Sequence, residues 1–317
     1  MKTLAVAAAL ATTILAGAAQ AATSVPVTFE SGGETIVGDL YLPDDYEAGD
    51  QLPAIVVTGA WMTVRQQMAS RYASELADRG YAALAFDFRN WGESGGDRRQ
   101  FEDPQFKIAD IEAAAAFLAS RPETDSNRIG GLGICASAGY MVTAALTSPN
   151  IRSVSLVAPW LHDTQILAGI YGGTEGMASM ASAGDAAQTA YITTGEQQFV
   201  PAASITDDSA IMFEAPYYTE TDRGMIAEWR NEADPAFWRA WLTFNAIQAA
   251  PLLSQPFFMI HSEAAAIPQG AHRFYDLVRG QKDELWLDNV SQFDFYDQAG
   301  PVTTSADAVA AHFSETL

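Results

Sequence analysis

The sequence predicts an α/β fold: a mostly parallel central sheet with helices on both faces and a helical cap inserted late in the chain. Three observations carry this. Short, nearly continuous apolar runs, "PAIVVTGA", "YAALAFDFR", "RIGGLGI", "SVSLVAPW", "PFFMIHS" and "ELWLD", have the pattern of strands buried on both faces. Helical stretches lie between them, and such alternation implies parallel strands joined by crossover helices. One long interruption, Leu161 to about Gln255, has little strand character and is rich in aromatic residues.

In chain order, the opening "MKTLAVAAALATTILAGAAQA" has one lysine, an apolar run and small residues at Ala19 and Ala21, the layout of a cleavable export signal over residues 1–21. That run is too short for a membrane span, so the mature chain is expected to be exported, periplasmic or secreted, with no spanning segment. "VPVTFE" and "ETIVGDLYLP" alternate apolar and polar residues and predict an antiparallel hairpin. "QQMASRYASELADRG" predicts a helix closed by Gly80, "KIADIEAAAAFLASRP" one that stops before Pro122, and "GYMVTAALTSP" one that ends at Pro149. The core is thus expected over 22–160 and again over 256–317, with the cap at 161–255. Within the cap, "EGMASMASAGDAAQTAYITTG" and "DPAFWRAWLTFNAI" read as helices. An insert at this point stands above the carboxyl edge of the sheet, where ligands of such sheets bind. Trp160, Tyr217, Tyr218 and Trp229 are the candidates for its pocket wall, since pockets are mostly apolar and aromatic.

Charge narrows the partners. The chain carries 17 Lys and Arg against 39 Asp and Glu, a formal charge of −22. Such a surface repels phosphate backbones, so a nucleic-acid partner is not expected. No metal-ligand spacing and no glycine-rich phosphate loop follows a strand, and no cofactor is expected. Oligomeric state is not legible. Cys135 is the only cysteine, so no internal disulfide can form and the fold must rest on its core.

The stretch "LGICASAGYM", residues 132–141, runs from a strand through a small-residue turn into a helix. Two frames compete for its tip: "GICAS" places Cys135 there, and "CASAG" places Ser137.

These residues resemble the α/β-hydrolase superfamily, and within it the bacterial dienelactone-hydrolase-like and YcjY-like group. "GAWMTVRQQMASRYASELADRGYAALAFDFRNWGESGGDRRQFEDP" is similar to that group's first half, and "RIGGLGIC" to its R-I-G-x-x-G-x-nucleophile pattern. The resemblance covers most of the chain from about Val25 to Phe313 and implies an α/β-hydrolase fold with Cys135 at a nucleophile elbow and Ser137 two residues into the helix. It also implies an oxyanion hole from the backbone N–H of Ala136 and of Trp61, with Ala60 the alternative, in the loop "TGAWM".

Two supports of the superfamily's triad are missing by motif. Alanines in "HSEAAAIP" fill the place of the acid, and Gln292 in "LDNVSQFDFYD" stands where the histidine is expected. His162, beside Asp163, and His261, at the end of a core strand, are the remaining candidates for a base, while His272 and His312 read as exposed or structural. Three functions follow as expectations: hydrolysis of an ester, thioester or related carbonyl compound, small to medium and partly apolar, through Cys135; non-catalytic binding of such a molecule by a fold that has lost its triad; or lyase or isomerase chemistry using the oxyanion site and a water held by Gln292.

Overall fold

The computed structural model describes residues 23–317; the expected export signal lies outside the described residues. β1 (Thr23–Ser31) and β2 (Glu34–Leu42) form the antiparallel hairpin. Then follow β3 (Leu52–Thr58), α1 (Met68–Ala77), β4 (Ala82–Phe86), α2 (Pro104–Ala119), β5 (Thr124–Ile134), α3 (Ser137–Thr147) and β6 (Ser153–Val157). The cap contributes α4 (Thr164–Ile170), α5 (Gly173–Thr194), β7 (Ala203–Ser204), β8 (Met212–Phe213) and α6 (Trp238–Thr243). The core resumes with β9 (Phe257–His261), α7 (Pro268–Leu277), β10 (Lys282–Trp286), α8 (Asp294–Asp297) and α9 (Ala299–Thr316).

The main sheet has eight strands in the order β1-β2-β4-β3-β5-β6-β9-β10. β2 pairs antiparallel with β4, and every pairing from β4 onward is parallel. This is the mostly parallel sheet of an α/β-hydrolase. β4, β6 and β9 are buried along their whole length, as helices on both faces require. Asp103 caps α2 by accepting from the backbone N–H of Gln105 and Phe106, with Pro104 at the first helical position. Asp163 caps α4 in the same way through Ile166 N–H. Among the described residues no helix is long and apolar enough to cross a membrane.

The cap is less helical than its sequence predicts. "DPAFWRAWLTFNAI" does not run as one helix: a 3-10 turn at Pro235–Phe237 leads into α6, which ends at Phe244 in extended conformation. Tertiary packing overrides propensity there, because leaving the helix seats the Phe244 ring against Tyr140 and His162, at 5.4 and 5.8 Å between centroids. Between α5 and that turn the chain is mostly irregular, held by the two-residue parallel ladder of β7 and β8 and by a bridge between Val200 and Ala233.

Candidate active site

Cys135 occupies the turn between β5 and α3 with φ 56, a left-handed conformation that costs a non-glycine residue about 1–2 kcal/mol. Three backbone bonds hold it there: its N–H donates to Val157 O, and its carbonyl accepts from Ala138 N–H and Trp160 N–H. The turn is tight enough that a Cβ on Gly133 would stand 2.8 Å from Ala138 Cα, a backbone atom that cannot swing aside. Ser137 begins α3, fully buried, with no partner for its hydroxyl and no place on the cavity wall. The frame that would put it at the tip is not the one adopted.

Three donors face the Cys135 sulfur, Ala136 N–H, Trp61 N–H and the Tyr296 hydroxyl, with the Gln292 carboxamide beside them on the cavity wall. Ala60, the alternative to Trp61, turns its N–H to Met68 Sδ at 3.4 Å instead. Burial pushes the Cys135 thiol up, and the donors, Tyr296 foremost, offset this only in part. The thiol is therefore the favoured form, and the donors suit negative charge on a group bound beside the sulfur.

Gln292, which the resemblance puts in the histidine's place, lies on the cavity wall and is held on every side. Its Nε2 donates to Ala158 O at 2.9 Å and to the Tyr296 phenol oxygen at 3.0 Å, and its Oε1 accepts from Ala266 N–H at 3.0 Å. These partners fix the amide orientation and use both of its N–H donors, and the amide oxygen takes up no proton at neutral pH. Tyr296 was not among the residues expected here. It lies in α8, the short helix that follows the turn holding Gln292, and no sequence signal singled it out.

Neither candidate base reaches the cavity. His162 is buried with both ring nitrogens engaged: Nδ1 accepts from Trp160 Nε1 at 3.1 Å, and Nε2 faces Trp241 O at 3.3 Å. Desolvation holds it down to about 4, so it is neutral and fixes the pocket wall instead of serving chemistry. His261 stacks on Trp286 at 5.3 Å, and burial holds it down to about 4 as well. His272 pairs with the exposed Glu263 at 2.7 Å, and His312 meets Ser153 at 2.9 Å.

Above the sulfur lies a cavity of about 390 Å³. Trp61, Trp160, Tyr171, Tyr218, Trp241 and Tyr296 give it an aromatic wall, and the cap leaves Cys135 only 8% exposed. Of the four aromatics expected in this wall, Trp160 and Tyr218 line it. Tyr217 and Trp229 stand one layer behind, packed on Tyr218 at 5.0 and 5.3 Å. Trp229 also donates its indole N–H to Met62 O at 2.7 Å and so braces the loop that carries Trp61. Glu214 is the one carboxylate on the wall among the described residues, exposed on the cap side of the mouth.

Known proteins share this architecture. YcjY of Escherichia coli (strain K12), an uncharacterized protein, is 28% identical over 285 residues, 88% of this chain and 93% of its own length. The crystal structure of the hypothetical protein PA2218 from Pseudomonas aeruginosa superposes with a TM-score of 0.81 at 26% identity, covering 93% of this chain and 94% of that one. The thiohydrolase aneE of Aspergillus aculeatus is 32% identical over 112 residues, 35% of each chain. A profile for X-Pro dipeptidyl-peptidase (S15 family) matches residues 32–291, and with this sheet order and elbow the chain belongs to that family within the α/β-hydrolase superfamily.

Proposed function

We propose that the protein is an acyl-processing enzyme of the hydrolase type in which the Cys135 thiolate attacks the carbonyl of a small, partly apolar thioester, ester or related compound. One observation carries the reading. Two backbone N–H groups converge on the sulfur of a residue held at φ 56 on the floor of an aromatic cavity. Fixed donors of this kind stabilise the oxyanion of a tetrahedral intermediate without reorganising during the reaction. A thioester is favoured among the substrates because its leaving group departs as a thiolate, whereas an alcohol or amine needs a proton from a positioned acid. The partial likeness to a protein named a thiohydrolase points the same way. Export through the signal over residues 1–21 is part of the proposal, and N-terminal sequencing of the mature protein tests it.

The test compares wild type, Cys135→Ala and Cys135→Ser on an arylacetyl thioester and a short-chain p-nitrophenyl ester. Turnover should fall to background in Cys135→Ala and stay near background in Cys135→Ser, because a hydroxyl needs a base more than a thiol does. Undiminished turnover by Cys135→Ala would overturn the reading.

Non-catalytic binding is the second reading, favoured by the thiol's upward shift and by the histidines' absence from the wall. It expects apolar carbonyl compounds to raise the melting temperature with no turnover at any pH.

A further inference from the structure

We propose that the acyl group taken up by Cys135 is passed to a thiol acceptor, so that the site runs thioester exchange in preference to hydrolysis. The inference rests on the function proposed above and draws on the imbalance around the sulfur: Ala136, Trp61 and Tyr296 line the same cavity as Cys135 and present donors to it. The Gln292 carboxamide oxygen accepts from Ala266 N–H, and an amide takes up no proton at neutral pH. Neither buried histidine lies on the cavity wall: His162 is engaged between Trp160 and Trp241, and His261 is stacked against Trp286.

The two halves of the reaction make different demands. In the first, the Cys135 thiolate attacks the thioester carbonyl; a bond from Sγ to the acyl carbon forms, the bond from that carbon to the outgoing sulfur breaks, and the outgoing group leaves as a thiolate. The oxyanion is held by the two backbone N–H groups, and no proton moves. In the second, something must attack the acyl carbon of the Cys135 thioester. Water, with a pKa of about 15.7, has to lose a proton as it attacks and depends on a base worth about 10²–10⁴ in rate. A thiol needs no such help, being already a few per cent thiolate near pH 7. The acceptor's sulfur then bonds to the acyl carbon, the bond to Sγ breaks, and the Cys135 thiolate returns to its ring of donors. The net reaction exchanges one thiol for another on the acyl group, with nothing oxidised or reduced.

The wall defines the cargo. Trp61, Tyr218, Trp241 and Tyr296 suit a flat or branched apolar acyl chain.

The experiment loads the full-length mature protein with the N-acetylcysteamine thioester of phenylacetic acid and follows the adduct by intact-protein mass spectrometry. Addition of excess 2-mercaptoethanol should discharge the adduct at least about 100-fold faster than buffer alone, the usual worth of a general base that water lacks. The product should be the new mercaptoethanol thioester, above the uncatalysed exchange measured with Cys135→Ala. An adduct that water discharges as fast as the thiol does would overturn the transfer while leaving Cys135 as the acyl carrier. No adduct on a folded protein would remove both. Glu214→Gln isolates the one carboxylate at the mouth: an unchanged adduct lifetime supports the inference, and a lifetime longer by about 100-fold would identify Glu214 as the base for water and overturn it.

Discussion

The Tyr296 hydroxyl faces the Cys135 sulfur and is held there by Gln292, whose Nε2 donates to the phenol oxygen at 3.0 Å. Because that oxygen already accepts from Gln292, its own O–H is left to donate. A residue in the histidine's place thus orients a donor at the sulfur where the superfamily pattern would supply a base.

Tyr296→Phe removes that donor and keeps the ring packed on Tyr217, 5.2 Å away. Tyr296 is the largest of the influences that favour the thiolate, so the variant should alkylate with iodoacetamide more slowly at a given pH. The loss should be about tenfold, one charge-assisted hydrogen bond of about 1.5 kcal/mol. An unchanged alkylation profile would show that the hydroxyl serves only to satisfy Gln292.

Acyl uptake should rise with pH through the alkaline range. Burial raises the Cys135 thiol above its ordinary value, so at neutral pH most of the sulfur is protonated and each unit upward increases the thiolate about tenfold until its pKa is passed. No limb near pH 6.5 is expected in kcat/KM, since His162 and His261 are neutral well below that pH and do not touch the sulfur. A bell-shaped profile with an acidic limb near that value would reveal a histidine base.

Gln292→His alone should not produce an efficient hydrolase. It breaks three hydrogen bonds, leaves Ala158 O and Ala266 N–H without partners at a cost of about 1–3 kcal/mol each where they are buried, and supplies an imidazole with no carboxylate to orient it. Ala265→Asp places that carboxylate in the turn of the missing acid. Water discharge of the acyl adduct should rise more in the double variant than the two single effects combine to give, as groups acting as a unit do. A double variant that matches the better single would show that the turn at Ala265 does not face residue 292 productively.

How much of this was legible follows periodicity. The sheet and the elbow were, because continuous apolar runs and the glycines at 131 and 133 answer to backbone geometry. The cap was only half legible: α5 has helical composition throughout, whereas the path from 195 to 237 is set by contacts such as Trp229 with Met62, far apart in sequence. The same reason hid the difference between Tyr218 in the wall and Tyr217 behind it, adjacent residues with like chemistry. Tyr296 was not legible because no triad position of the superfamily pattern coincides with it, and only the short α8 after Gln292 brings it to the sulfur.

Acid should destabilise the fold in a window set by three histidines. His162, His261 and His312 are held down to about 4 by burial, against about 6.5 in the unfolded chain. The unfolded state therefore binds protons first: their contribution is complete above about pH 6.5 and is lost as pH falls toward 4, at up to about 1.4 kcal/mol per pH unit for each. Urea midpoints between pH 7 and 4.5 measure the slope. His261→Asn should flatten it by about one histidine's share, and an identical slope would mean that His261 is already charged in the fold.

Below the elbow, Lys107 pairs with Glu102 at 2.8 Å, both buried, with the Lys107 ammonium over the rings of Phe88 and Trp91. Tyr140 donates its hydroxyl to the other Glu102 oxygen at 3.0 Å. Lys107→Met strands the carboxylate in an apolar setting and should cost about 3–5 kcal/mol, while Lys107→Met combined with Glu102→Gln should recover much of it, since a buried pair replaced by neutral groups is often near neutral. Equal losses in single and double variants would assign the cost to packing of the lysine stem.

Trp229→Phe tests whether the cap holds the oxyanion loop in register. The Trp229 indole donates to Met62 O at 2.7 Å, and Met62, at φ 58, is the strained residue directly after Trp61. Phenylalanine keeps a ring against Tyr218, so the cavity wall is preserved and only the tie to the loop is lost. Removing an oxyanion donor outright costs about 10²–10³ in kcat. Loosening the loop that carries one should cost a part of that, about tenfold, with KM nearly unchanged because ground-state binding does not use the N–H. Tyr217→Phe, which alters the layer behind the wall without touching Met62, is the comparison and should leave kcat as it is. If Trp229→Phe lowers only the melting temperature and spares kcat, the Trp61 N–H is positioned by its own loop, through Ala60 N–H on Met68 Sδ, and the cap serves substrate enclosure alone.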